Sequence, residues 1–172
     1  MADTSRAAGL QVRRSRAWPI LWVLLAAVLV AVGAWFATHP SPLPTSGDAL
    51  AATTPVAVPV YLGVFTPPAD WDRDLHVSGV ETSSAGDASV AVVVLVCHGG
   101  ALHVTSAPGT FCSRLEPVSG ATLGAGDSLV IQVTGETPGT AEVDRVRLSY
   151  RDGVQWATQE VGRPTVVTVL SR

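Results

Sequence analysis

Residues 17–37 form a run of twenty-one residues without a charge, AWPILWVLLAAVLVAVGAWFA, directly after Arg13, Arg14 and Arg16. As a helix rising about 1.5 Å per residue, this run is about 31 Å long, close to the thickness of a bilayer's hydrocarbon core. An isolated apolar segment in lipid satisfies its backbone hydrogen bonds by being helical. Trp18 and Trp22 lie near one end, and Trp35 with Phe36 near the other, the pattern of rings that settle at membrane–water interfaces. Arg13, Arg14, Arg16, Trp18, Trp22 and Trp35 are therefore the expected membrane-interface anchors. Pro19 falls in the first turn, where its missing N–H costs little.

Arginine sets the expected orientation. Residues 1–37 hold four Arg against one acid, and residues 38–172 hold seven Arg against thirteen acids. The positive-inside rule then assigns residues 1–16 to a cytoplasmic tail, residues 17–37 to a transmembrane helix, and the remainder to the extracytoplasmic side. The expected localisation is the cell membrane, crossed once. A cleaved signal peptide is the competing reading. A cut after Ala37 would put Trp35 at the −3 position, where small residues are needed. No cysteine lies near the segment, so a lipoprotein signal is excluded.

All eleven basic residues are Arg, and both Lys and Asn are absent. Without Asn there is no N-x-Ser/Thr glycosylation acceptor. The acidic balance after residue 37 argues against nucleic acid as a partner. The lipid bilayer and an envelope protein are the expected partners. Cys97 and Cys112 are the only cysteines, both on the side assigned to an oxidising compartment, and are expected to form a disulfide. Closing a loop of that size stabilises a fold by about 3 kcal/mol in the chain-entropy model.

Residues 38–59 carry Pro40, Pro42, Pro44, Pro55 and Pro59 among Ser, Thr and Ala, and read as an extended stalk with no capacity for a core. Residues 60–172 are the expected folded domain. Leu129, Ile131 and Val133 alternate with Ser128, Val130 and Gln132, the period of a half-buried strand. Val146, Leu148 and Tyr150 alternate with Arg145, Arg147 and Ser149. Asp152-Gly153 then predicts a tight hairpin into residues 154–158. Residues 89–97 are apolar on both faces and predict a strand covered on both sides. Further strands are expected at residues 58–65, 75–81, 101–105 and 164–170. About seven to eight short strands with no helical period predict an all-β, immunoglobulin-like β-sandwich preceded by one transmembrane α-helix.

The phrases GDSLVIQV, TPGTAEVDRVRLSYRDG and TQEVGRPTVVTV resemble the closing strands of small, uncharacterised single-pass envelope proteins of high-GC Gram-positive bacteria. The resemblance covers residues 70–172 and implies an immunoglobulin-like outer domain. The chain departs from immunoglobulin domains proper in its cysteines, which stand close together in sequence where those domains pair distant ones.

Candidate chemistry is sparse. Asp70, Asp72, Asp74 and Glu81 occupy positions 1, 3, 5 and 12 of a calcium-loop count, with Val77 at the apolar position 8. Leu75 stands where such a loop needs Gly, so the expectation is a solvated turn entering a strand, with Leu75 and Val77 inward and His76 outward. Cys97, His98, His103 and Cys112 have the side-chain types of a Zn²⁺ or Cu site. A disulfide would consume its two sulfurs. No G-x-S-x-G, H-E-x-x-H or phosphate-cradling loop is present. Trp156 is expected inside the sandwich. Trp71, among three aspartates, is expected to be a partly exposed contact residue or an ordinary core edge. The expected function is a membrane-anchored, non-catalytic interaction or structural module of the cell envelope, without catalytic residues or cofactor. The alternative is an extracytoplasmic metal-handling domain using Cys97, His98, His103 and Cys112.

Overall fold

The computed structural model describes residues 17–171; the expected cytoplasmic tail, with Arg13, Arg14 and Arg16, lies outside the described residues. The chain divides after Phe36 into two units. The first holds helix α1 (Ala17–Thr38), of which the span Trp18–Thr38 is long and apolar enough to cross a membrane, with none of it buried. Its apolar side chains are exposed on all sides of the helix. Trp18 and Trp22 meet edge to face at 6.4 Å, one turn apart.

The second unit is built of strands, with one short 3-10 turn at Pro108–Thr110. It opens with β1 (Leu50–Pro55), β2 (Pro59–Phe65), β3 (Leu75–Glu81), β4 (Ser84–Gly86) and β5 (Val90–His98). The short strands β6 (Val104–Thr105), β7 (Arg114–Pro117) and β8 (Thr122–Leu123) follow. It closes with β9 (Ser128–Gly135), β10 (Gly139–Val143), β11 (Val146–Asp152), β12 (Gln155–Val161) and β13 (Thr165–Leu170). Three sheets result, with strand orders β6-β2-β9-β5-β7, β12-β11-β3-β8 and β1-β13-β10-β4. Their inward residues share one core: Leu62, Val96, Leu129 and Ile131 from the first, Leu75, Leu123 and Leu148 from the second, Val143 and Val167 from the third. The fold is an all-β sandwich preceded by a helix.

The two four-stranded sheets are built from the same three lengths of chain. β3 and β4, β10 and β11, and β12 and β13 are each a strand broken once. Between the pairs Val143–Thr165 and Val146–Val161, two residues (Asp144, Arg145) stand against three (Gly162, Arg163, Pro164). Between Val143–Ser84 and Arg147–Glu81, residues 144–146 stand against Thr82 and Ser83 alone. An extra residue on one side of a ladder is a bulge, which bends a strand and increases its twist. Both bulges fall on one line, so the sheet creases there. The Asp144 N–H still donates to the Ser83 carbonyl across it at 3.0 Å. Gly162, at φ 78°, passes so close to β2 that a Cβ would stand 2.4 Å from the Val64 carbonyl oxygen.

The predicted hairpin forms. Asp152 pairs with Gln155, leaving Gly153 and Val154 as a two-residue loop. Gly153 has φ 56° and Val154 is not among the positive-φ residues, the arrangement of a II′ turn.

Two expectations are corrected. Residues 38–59 are not an independent stalk. Leu43 is 5% exposed in the core, Thr45 bridges Gly162, and β1 pairs in parallel with β13 along its whole length. The proline spacing leaves Leu50–Pro55 free to extend, and the small residues Ala52 and Thr54 are its buried positions. Second, β5 is covered on both faces only towards its end. Ala91 and Val93 are exposed, whereas Cys97 lies under the loop that Cys112 closes. Cys97, Leu102, Cys112 and Val130 form a small second core there, on the outer face of the five-stranded sheet.

Replacing Leu43 by Ala is expected to lower the stability of the β domain by about 2–3 kcal/mol, the range for a buried leucine truncated to alanine. Urea unfolding of the full chain in detergent, followed by tryptophan fluorescence, checks this; a free spacer would give no change.

Candidate functional site

Arg73 gathers four groups. Its Nε donates to Asp152 Oδ2 at 2.7 Å, its Nη1 to the Ser41 carbonyl at 3.3 Å and its Nη2 to the Tyr150 hydroxyl at 3.5 Å. Its guanidinium lies over the Trp71 ring at 5.2 Å. Trp71 in turn meets Phe65 edge to face at 5.9 Å and packs on the core. Residues 70–74 alternate strictly: Asp70, Asp72 and Asp74 are exposed, while Trp71 and Arg73 turn inward. Trp71 is thus a core edge held by a cation, which contributes about 0.5–1 kcal/mol at a site of this exposure.

That alternation also breaks the calcium-loop count. Leu75 and Val77 are buried and His76 is exposed, as the strand phase predicts. Glu81 lies at the far end of β3, about 20 Å from Leu75 at the rise of an extended strand, so it cannot close a loop onto Asp70 and Asp72.

The four residues of the metal reading are also dispersed in role. Cys97 and Cys112 are bonded to each other, with Cα atoms 5.2 Å apart. His98 Nε2 faces Glu116 Oε1 at 2.8 Å and its Nδ1 faces Asp127 Oδ1 at 3.0 Å. Only a ring carrying both protons donates to both carboxylates. The clamp ties the end of β5 to β7 and to the turn before β9. Ser113 donates to the His98 carbonyl from its hydroxyl and its backbone N–H. His103 is exposed in the disulfide loop. With both ring nitrogens on carboxylates, His98 faces no nucleophile. Among the described residues, no three His, Cys, Asp or Glu side chains are gathered as a metal site.

Two concavities remain on the outer face of the creased sheet. One follows the crease, about 620 Å³, with Glu81, Glu142, Asp144 and Glu160 beside Arg145 and Arg147. Arg145 and Arg147 both reach Glu160, at 3.7 and 3.5 Å, and Ser83 donates to Asp144, which leaves the crevice acidic on balance. The other is a shallow groove of about 460 Å³ lined by Ser78, Ser149, Tyr150, Arg151, Trp156, Ala157 and Thr158.

Trp156 dominates the second groove. It is 67% exposed, the reverse of the expected core position. Val161 is buried and fixes the strand phase, so Thr158, Glu160 and Trp156 share the outer face. Trp156 pairs directly with Arg151, and Thr158 with Ser149, whose hydroxyls are 2.8 Å apart. His76 is the partner of Arg151 on its other side. The run Trp156, Thr158, Glu160 carries a polar phase that was readable in the sequence and would have placed this ring outside.

The sequence matches no protein-family model, and no curated protein matches it.

Burial holds the Tyr150 phenol above its ordinary value near 10, and the Arg73 hydrogen bond and charge pull it partly back. The folded state therefore keeps this proton more tightly than the unfolded chain. The resulting stability is in place below about pH 10 and is lost as pH rises through the folded value. The chain has no Lys, so no side-chain ammonium titrates in that window. Tyr150→Phe is expected to flatten the alkaline loss of stability above pH 10, measured by thermal unfolding at stepped pH. Trp71→Ala is expected to cost about 2–4 kcal/mol, near the range for aromatic truncation in a core, and Trp156→Ala less than about 0.5 kcal/mol. Equal losses in the two unfolding curves would contradict the assigned positions.

Proposed function

We propose that this chain is a membrane-anchored, non-catalytic recognition module of the cell envelope. Residues 1–16 lie in the cytoplasm, α1 crosses the bilayer, and the β domain stands on the extracytoplasmic side. It presents the outer face of β3, β11 and β12 to a partner. The observation that carries this reading is Trp156. A large ring held in the open on the edge strand β12, one pair in from the hairpin loop, forfeits the burial that its area would otherwise supply, and such rings dominate binding surfaces. The Cys97–Cys112 bond supports an oxidising compartment, and the excess of Arg before α1 supports the orientation. The likeness of residues 70–172 to outer domains of high-GC Gram-positive envelope proteins is of the same sense. The sandwich itself specifies no partner.

Protease added to cells stripped of their wall is expected to remove the β domain and leave a small membrane fragment carrying the N-terminus. Digestion only in inside-out vesicles would reverse the topology. Soluble product lacking α1 in the culture medium would remove the anchor from the reading.

A further inference from the structure

We infer that the groove at Trp156 and Arg151 binds an acidic saccharide, a sugar polymer carrying carboxylates. This rests on the reading of the β domain as an outward-facing recognition module, and names what it recognises.

The groove has three chemical components. The first is a flat ring, Trp156, exposed over two-thirds of its surface. Its face can take the C–H side of a pyranose, which is apolar and similarly flat. The second is a shelf of hydroxyls from Ser78, Ser149 and Thr158. Each hydroxyl can donate once and accept twice, so the Ser149–Thr158 bond leaves capacity for the hydroxyls of a sugar. The third is Arg151, the one charged side chain lining the groove.

Charge selects among ligands of this shape. Arg73, Arg114, Arg145 and Arg147 each have a carboxylate within 4.0 Å; among the described residues Arg151 and Arg163 have none, and of these two Arg151 is the exposed one. The carboxylate next to it in sequence, Asp152, is taken by Arg73. Although the domain as a whole is acidic, the unanswered guanidinium is a local cation complementary to an anion, and its planar fork suits a carboxylate held bidentately. A peptide anchor would need a pocket to fill. This groove is shallow and floored by Ala157 and by Tyr150, whose side chain points into the core. Ring, hydroxyl shelf and cation lie on neighbouring positions of three paired strands, β3, β11 and β12, so the site is set by the ladders rather than by a loop.

The test uses the full chain in detergent micelles and polygalacturonate as the probe. Neutral galactan and poly-L-glutamate separate the contributions of sugar and charge. Polygalacturonate is expected to bind best, and Trp156→Ala to weaken it by about tenfold or more, as for an aromatic anchor in an interface. Arg151→Gln is expected to weaken polygalacturonate by about tenfold, the loss of one hydrogen-bonded charge, while leaving galactan unchanged. Trp156→Tyr, a smaller ring on the same face, is expected to fall between wild type and Trp156→Ala. Unaltered melting of these variants would show that the losses are local. No binding of polygalacturonate, equal binding of poly-L-glutamate, or full binding by Trp156→Ala would each overturn the inference. The protease result on topology is independent of all three, so the ligand assignment and the module reading fail separately.

Discussion

The crease in the four-stranded ladders is the constraint on which the domain's shape depends. Three strands must each serve two sheets, and a straight strand cannot bury one face along its whole length against a small core. Inserting one extra residue on one side of each ladder turns all three strands along a common line. The side chains then keep alternating, inward and outward, on both sides of the bend. Val143 and Val146 both reach the core, although the two residues between them break the alternation. Above the bend lies the charged crevice; beyond it lies the Trp156 face.

Two local clusters hold the ends of this arrangement. Arg73 draws the segment before β3, the start of the hairpin and Ser41 onto one cation. His98 does the same for β5, β7 and the turn before β9, using two carboxylates and a buried disulfide beside it. In each the polar atoms are turned on neighbours: three of the five N–H groups of Arg73 donate within the domain, and the imidazole has a carboxylate on each nitrogen. Further groups with unused valence lie on the Trp156 face.

Much of this was legible from the residues, and the failures have physical causes. Leu129–Val133 and Val146–Tyr150 alternate cleanly, and Asp152-Gly153 marks the hairpin, because these signals are local. Pro40, Pro42, Pro44, Pro55 and Pro59 gave residues 38–59 the composition of a spacer. Leu43 and β1 belong to the domain for a reason sequence does not carry, the free side of distant β13. Hydrophobicity weighted above phase puts Trp156 in the core, whereas for Trp71 both an exposed contact and a core edge stood open. Trp71 alternates with three exposed aspartates and so turns inward, while Trp156 shares its phase with Thr158 and Glu160 and so turns out. The crease could not be read, because a bulge is a count of residues between pairs, and the pairs are set only in the folded chain.

The parallel pairing of β1 with β13 has a consequence for biosynthesis. Leu50 leaves the ribosome long before Thr165, its partner, and β13 is also the strand that joins β1 to β10. Until residues 165–170 have emerged, β1 has no strand to pair with. Its docking therefore waits on β13, and a nascent chain stalled short of residue 165 would keep an open, adhesive edge.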